Sequence, residues 1–153
     1  MAQTVFLGEK VTETFSIQEV ARRSGFSEPT LRYYERVGLI ASIPRDPSSG
    51  HRRYDADTVQ MIEALACLRS CGFSISEMQT YLDFMAREHE AAAEQRELFE
   101  KHAAKLAYEI ERLQVRQRYM NAKVNLWGAR ERRDKAAENL AIGELKQIAG
   151  ELK

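Results

Sequence analysis

Apolar residues recur along this chain in short helical blocks that end at glycines. Ile17, Val20 and Ala21 mark one stripe of a first short helix. Ser16 and Glu19 form an S-x-x-E capping box at its start, and Gly25 is placed to close it with a left-handed cap. Ser27 can cap a second helix, with Pro29 tolerated in its first turn. That helix runs through "TLRYYERV" and stops at Gly38. Two short helices joined through a glycine-containing turn make the helix-turn-helix pattern. Leu39–Ile43 and His51–Tyr54 are then expected to pair as a small hairpin, a wing, across the loop "RDPSSG". Asp55 caps a third helix with Val59, Ile62, Leu65 and Ala66 inward, and Cys67 or Leu68 beside them. Ser74 and Glu77 form a second capping box, opening a helix with Met78, Tyr81, Leu82 and Met85 inward. Residues 1–14 show no period and read as a loosely docked arm.

From His89 to Trp127 there is neither glycine nor proline. Alternating steps of four and three select Phe99, Ala103, Leu106, Ile110, Leu113, Gln117, Met120, Val124 and Trp127. This heptad seam predicts a coiled coil. At about 1.5 Å per residue it is about 42 Å long, more than a small domain can cover. No second long helix is expected in the chain, so the economical partner is a second copy. Gln117, the polar member, can fix register. Beyond Gly128 the sequence is highly charged, with Leu140, Ile142, Leu145 and Ile148 as anchors of a short helix or a frayed tail. The chain therefore divides into an arm (1–14), a helix-turn-helix domain (15–86), a dimerisation helix (87–128) and a tail (129–153).

Lys+Arg and Asp+Glu both number 23, so net charge makes no case for nucleic acid. Local charge does. Between Arg22 and Arg53 stand seven arginines against Glu28, Glu35 and Asp46, an excess of four positive charges. Arginine forks onto phosphates, so this points to a phosphate-facing surface. No apolar run reaches the length of a membrane span, and the start lacks the features of a signal peptide. A cytoplasmic protein with reduced thiols is expected.

The blocks "TLRYYE–GL", "SSGHRRY" and "LRSCGFSISEM" together resemble the MerR family of bacterial transcription regulators over about residues 15–85. The long helix matches that family's dimerisation helix in type and place. The resemblance implies a mainly α fold: a winged helix-turn-helix followed by a long helix that pairs as an antiparallel coiled coil in a homodimer. It implies binding to a pseudo-palindromic double-stranded promoter site, whose DNA is distorted so that RNA polymerase can start. By position, Thr30, Arg32, Tyr33 and Tyr34 would lie at the DNA, with Arg52, Arg53 and Tyr54 from the wing and Arg22 beside them. Arg22 reads equally well as a plain surface charge. Ser27, Glu28 and Thr30 are nearest the base edges. One of the two tyrosines is expected to pack inward, with Tyr33 the more exposed. The dimer interface would comprise Phe99, Leu106, Ile110, Leu113, Gln117, Met120, Val124 and Trp127.

Metal-sensing relatives carry cysteines around the dimerisation helix, where this chain has none, so no metal and no cofactor are expected. Cys67 and Cys71 lie one helical turn apart. The segment "CLRSCGFSISEM" resembles that of the relatives that respond to aldehydes, electrophiles or nitrosative stress. That resemblance makes Cys67, with Cys71, a candidate sensor of a small electrophilic effector. The alternative is a buried cysteine acting as a small hydrophobe. An effector-independent repressor or architectural DNA-binding protein of the same fold also fits. No Ser/His/Asp or Cys/His constellation, paired acids or glycine-rich phosphate loop points to an enzyme.

Overall fold

A computed structural model of the chain describes residues 13–153, and residues 1–12 of the expected arm lie outside it. The elements are β1 (Thr14–Phe15), α1 (Ile17–Ser24), α2 (Glu28–Arg36), β2 (Tyr54–Asp55), α3 (Ala56–Ser70), α4 (Ile75–Ala86), α5 (Ala92–Glu131) and α6 (Lys135–Glu151), with a 3₁₀ turn at Glu88–Ala91. They form two units, divided between Gln95 and Arg96.

Local chemistry sets the helix ends of the first unit. The Ser16–Glu19 and Ser74–Glu77 capping boxes are both closed, and Asp55 accepts from the Thr58 amide at 2.7 Å. The sharp turn after α1 needs φ +80° at Gly25, and the chain leaves α2 through Gly38 at φ +82°. Any side chain would strain those two turns. The core gathers Val20 of α1, Leu31 and Tyr34 of α2, Val59, Ile62 and Leu65 of α3, and Met78 of α4. Each fully buried aliphatic side chain here contributes about 1.5–3 kcal/mol. Arg23 adds a polar tie, its Nε donating to Glu63 Oε1 of α3 at 2.8 Å while its guanidinium lies 5.0 Å from the Phe15 ring centre.

The wing differs from its expected form. Leu39, Ile40 and Ile43 do not pair with His51–Tyr54; they are buried, because this apolar run is needed to close the core. The hairpin instead forms further out, with a bridge between Arg45 and Arg52. The Asp46 amide donates to His51 O at 2.8 Å, and the Arg53 amide to Pro44 O at 2.9 Å. Tyr54 and Asp55 pair with Phe15 and Thr14, so the last residue of the expected arm is a strand residue. Met85, expected inward, is 54% exposed, while Met78 is fully buried. Tyr81 and Leu82 are half-buried.

The second unit holds a helix pair that the seam does not predict. α5 passes through Gly128 and ends at Glu131. The chain turns at Arg133 (φ +55°), and Asp134 caps α6 by accepting from the Ala137 amide at 3.0 Å. Ala141, Leu145 and Ile148 of α6 pack on Ala122 and Leu126 of α5, with Val115 and Tyr119 partly covered beside them. Arg130 ties to Glu138 at 3.0 Å, and Arg118 pairs with Glu151. The tail thus takes the short-helix form of the two expected, with Leu145 and Ile148 as buried anchors, while Leu140, expected beside them, is 77% exposed. That helix covers the wrong face to close the seam. At about 100° per residue, the Ala122–Leu126 face lies opposite the face that carries Leu113 and Met120. Phe99, Leu106, Ile110, Leu113, Met120, Val124 and Trp127 are all 40–69% exposed, and Gln117 is exposed among them.

Candidate nucleic-acid interface

α1, α2 and the wing converge on one basic groove of about 350 Å³. The first turn of α1 contributes Ser16, Ile17 and Gln18. α2 contributes Arg32, and the wing contributes Arg45, Asp46, Ser49, His51, Arg52 and Arg53. Four guanidiniums thus line one recess, against a single carboxylate. That carboxylate, Asp46, is committed locally: its Oδ1 accepts from the Ser48 hydroxyl at 2.6 Å, the Ser49 amide at 2.8 Å and the Ser48 amide at 2.9 Å. These bonds, the Ser48 hydroxyl first, hold its carboxyl well below the usual carboxylate range. The acid therefore serves as the brace of the wing turn.

Each arginine is held by a partner. Arg45 Nη1 donates to Gly50 O at 3.0 Å, and Arg52 Nε to Glu35 Oε2 at 2.7 Å. Arg32 Nη2 donates to Glu28 Oε2 at 3.1 Å along α2. Arg53 reaches back to β1, donating to Thr14 Oγ1 at 3.1 Å and Thr14 O at 3.2 Å. Restrained guanidiniums lose less side-chain freedom when they meet an anion.

At the start of α2, Ser27 Oγ accepts from the Thr30 amide at 3.2 Å and lies 2.8 Å from Thr30 Oγ1. Both hydroxyls, with Glu28 and Pro29, sit in the first turn. Tyr33 is 40% exposed, with the Arg36 guanidinium 5.3 Å from its ring centre. Tyr34 is 4% exposed and packs edge-on against Phe26, ring centres 5.2 Å apart. The inward tyrosine is thus Tyr34. Arg22 is exposed at the end of α1 and does not line the groove.

Tyr54 must be reassigned. It is 1% exposed and its hydroxyl is buried without a partner among the described residues, so its ring belongs to the core. The inward phase of β2 takes it there, because Asp55 must point out to cap α3. Cys67 also departs from the buried alternative: it and Cys71 are both exposed. Cys71 caps the end of α3, its amide donating to Cys67 O at 3.1 Å. Arg69, the nearest arginine in sequence, is engaged with Phe73 O at 3.1 Å. The sequence singles out neither Gln18 nor His51, which line the groove. Only the docking of α1 beside the wing brings them there, and no local pattern announces that.

Among the described residues, no group of three or more His, Cys, Asp and Glu is placed to hold a metal ion. No helix there is long and apolar enough to cross a membrane.

Two family profiles match the chain. One, described as "MerR HTH family regulatory protein", matches residues 15–85, and the other, "MerR, DNA binding", matches residues 59–122. The HTH-type transcriptional regulator AdhR of Bacillus subtilis is 44% identical over 43% of this chain and 46% of its own length. The matched region spans about half the length of such curated relatives, or less. A putative MerR family transcriptional regulator from Listeria monocytogenes is 28% identical, with a TM-score of 0.63 over 91% of this chain and 99% of its own. HiNmlR is described as a MerR family regulator lacking the sensor domain, bound to promoter DNA. It shares the fold at 24% identity, with a TM-score of 0.62 over 78% of this chain and 94% of its own.

Proposed function

The chain belongs to the MerR family of helix-turn-helix regulators, and on that premise we propose that it is a homodimeric promoter-binding regulator of transcription acting in the cytoplasm. The observation that carries this reading is the groove in which four arginines from α2 and the wing meet the first turn of α1. A recess of that sign and depth suits a phosphate of the DNA backbone. α2 then lies in the major groove, with Ser27, Glu28 and Thr30 at the base edges and Tyr33 beside the backbone. Arg32, Arg52 and Arg53 grip phosphates.

The exposed seam of α5 supports the dimer. Six large apolar residues along one face, Leu106, Ile110, Leu113, Met120, Val124 and Trp127, are exposed while α6 occupies the opposite face, an arrangement that suits a second copy of the chain. Charge supports an antiparallel coiled coil. Residues 88–100 carry five glutamates against one arginine, and residues 123–133 carry four basic residues against one glutamate. An antiparallel copy sets the acidic end of one protomer against the basic end of its partner; a parallel copy stacks like on like. Two lobes joined in one dimer can bend and untwist a promoter between half-sites, and so realign it for RNA polymerase. The exposure of Cys67 and Cys71 supports control of that step by a thiol-reactive molecule.

Genome-wide mapping of bound sites, repeated with Arg32→Ala, tests the reading. Discrete promoter sites with two half-repeats are expected, and they should fade in the variant. An absence of discrete sites in the unaltered protein overturns it.

A further inference from the structure

Glu35 is an acid on a surface read as a phosphate grip. Simple electrostatics makes it a liability there: a carboxylate near a DNA backbone repels it, and removing the charge should tighten binding. The geometry points the other way. We propose that Glu35 is a positioning residue for DNA binding, aiming the guanidinium of Arg52 at a backbone phosphate.

The contact is 2.7 Å, from Arg52 Nε to Glu35 Oε2, between residues on different elements. Glu35 is in the last turn of α2 and Arg52 in the returning limb of the wing. The two side chains are 15% and 20% exposed, far more covered than the 32% and 45% of the Glu28–Arg32 pair on the same face. Charge-assisted bonds strengthen as they leave water. The pair sits near Tyr54, a fully buried phenol whose pKa is pushed up by burial, with the Glu35 carboxylate adding to the effect. An uncharged, water-poor wall on that side favours a fixed Arg52 over a wandering one.

The atom used for the tie matters. An arginine has five N–H donors, and Glu35 takes only the one at Nε. The terminal nitrogens of Arg52 make no other side-chain bond among the described residues, and Arg52 lines the groove with Arg32, Arg45 and Arg53. Glu35 therefore holds the guanidinium by its inner edge and leaves the outer edge for an anion. The same tie couples the angle of the wing to α2, so the two DNA-contacting elements are set relative to each other before DNA arrives.

This inference rests on the proposed DNA-binding role, and a double-mutant cycle separates the two. Binding of the full-length protein to its mapped site is measured across salt concentrations for Glu35→Ala, Glu35→Gln, Arg52→Ala and the Glu35→Ala/Arg52→Ala pair, with thermal unfolding in parallel. Glu35→Ala is expected to weaken binding about tenfold, the loss of one charge-assisted contact. It should also flatten the dependence of log K on log salt by about one phosphate contact. Glu35→Gln keeps an acceptor of the same shape and should recover much of the affinity. The double variant should bind no worse than Arg52→Ala alone. A purely structural role for Glu35 lowers the unfolding temperature and leaves the salt slope of the folded protein unchanged. Tighter binding by Glu35→Ala, or an unchanged slope, overturns the positioning role. If Arg52→Ala itself leaves the slope unchanged, the groove is not the phosphate grip and the wider reading fails first.

Discussion

Tyr33 and Tyr34 are neighbours on α2 with opposite environments: one ring is 40% exposed under Arg36, the other 4% exposed against Phe26. Adjacent helical residues diverge by about 100°, so one core face cannot take both. Tyr34→Ala should therefore cost stability, about 3–5 kcal/mol as for other large core rings, and lower affinity only through unfolding. Tyr33→Ala should leave the unfolding temperature nearly unchanged and weaken binding to the promoter site. Thermal melts beside gel-shift titrations check both. A Tyr33→Ala protein that binds normally removes Tyr33 from the DNA face.

The helix-turn-helix was legible in the sequence because its signals are local. Ser16, Glu19, Gly25 and Ser27 cap and break helices through bonds reaching three or four residues, and the structure closes each of those caps. The wing differs because the run Leu39–Ile43 has the look of a strand, while tertiary packing takes Leu39, Ile40 and Ile43 into the core. Tyr54 was misassigned for a related reason: its phase is set by the pairing of Phe15 with Tyr54, a contact made across 39 residues. α6 was legible only as one of two forms of the tail, because the helix is chosen by its packing on Ala122 and Leu126 of α5, a contact that no local pattern fixes. The groove was legible only in part. The arginine excess pointed to it, but Gln18 and His51 join it through docking alone.

The two faces of α5 predict two different losses. Leu113→Glu puts a charge in the middle of the exposed seam, at a side chain that is 58% exposed. The protein should become monomeric by light scattering, keep its α5–α6 packing, and lose affinity for the two-half-site operator. Leu145→Ala, on α6, loosens the packing against the opposite face of α5, where its side chain is 9% exposed. It should cost about 2–5 kcal/mol of stability and leave the mass of the folded protein unchanged. A Leu113→Glu protein that keeps the mass of the unaltered one removes the seam from the interface.

The wing should be insensitive to mild acid. Asp46 accepts four bonds from Ser48 and Ser49, and its folded pKa lies below the ordinary carboxylate value of about 3.9. A depressed carboxyl contributes its full stabilisation above its unfolded pKa and loses it as pH falls through the folded one. From neutral pH down to about 4 the turn should thus stay closed, opening only below. Amide chemical shifts of Ser48 and Ser49 followed by NMR check this. Asp46→Ala should open the turn at neutral pH and loosen DNA binding through the wing. A Ser49 amide that shifts between pH 7 and 5 contradicts the assignment.

Cys67 and Cys71 offer the remaining reactive chemistry of the first unit. Both are exposed, at the end of a helix whose inner face carries Ile62 and Leu65. An exposed thiol can add to an electrophilic carbon without first opening the core, and an adduct there alters the surface of α3. Arg69 donates to Phe73 O in the turn that follows α3, so a change at Cys67 or Cys71 lies beside that hydrogen-bonded turn. Cys67→Ser should fold and bind its promoter normally. It should abolish induction by formaldehyde, methylglyoxal or a nitrosating agent in a reporter strain, and mass spectrometry should find the adduct on Cys67 of the unaltered protein. Cys71→Ser distinguishes a single sensor from a pair: unchanged induction assigns the role to Cys67 alone. If Cys67→Ser responds as the unaltered protein does, the exposed thiols play no part in signal reception, and the effector-independent form of regulation takes their place.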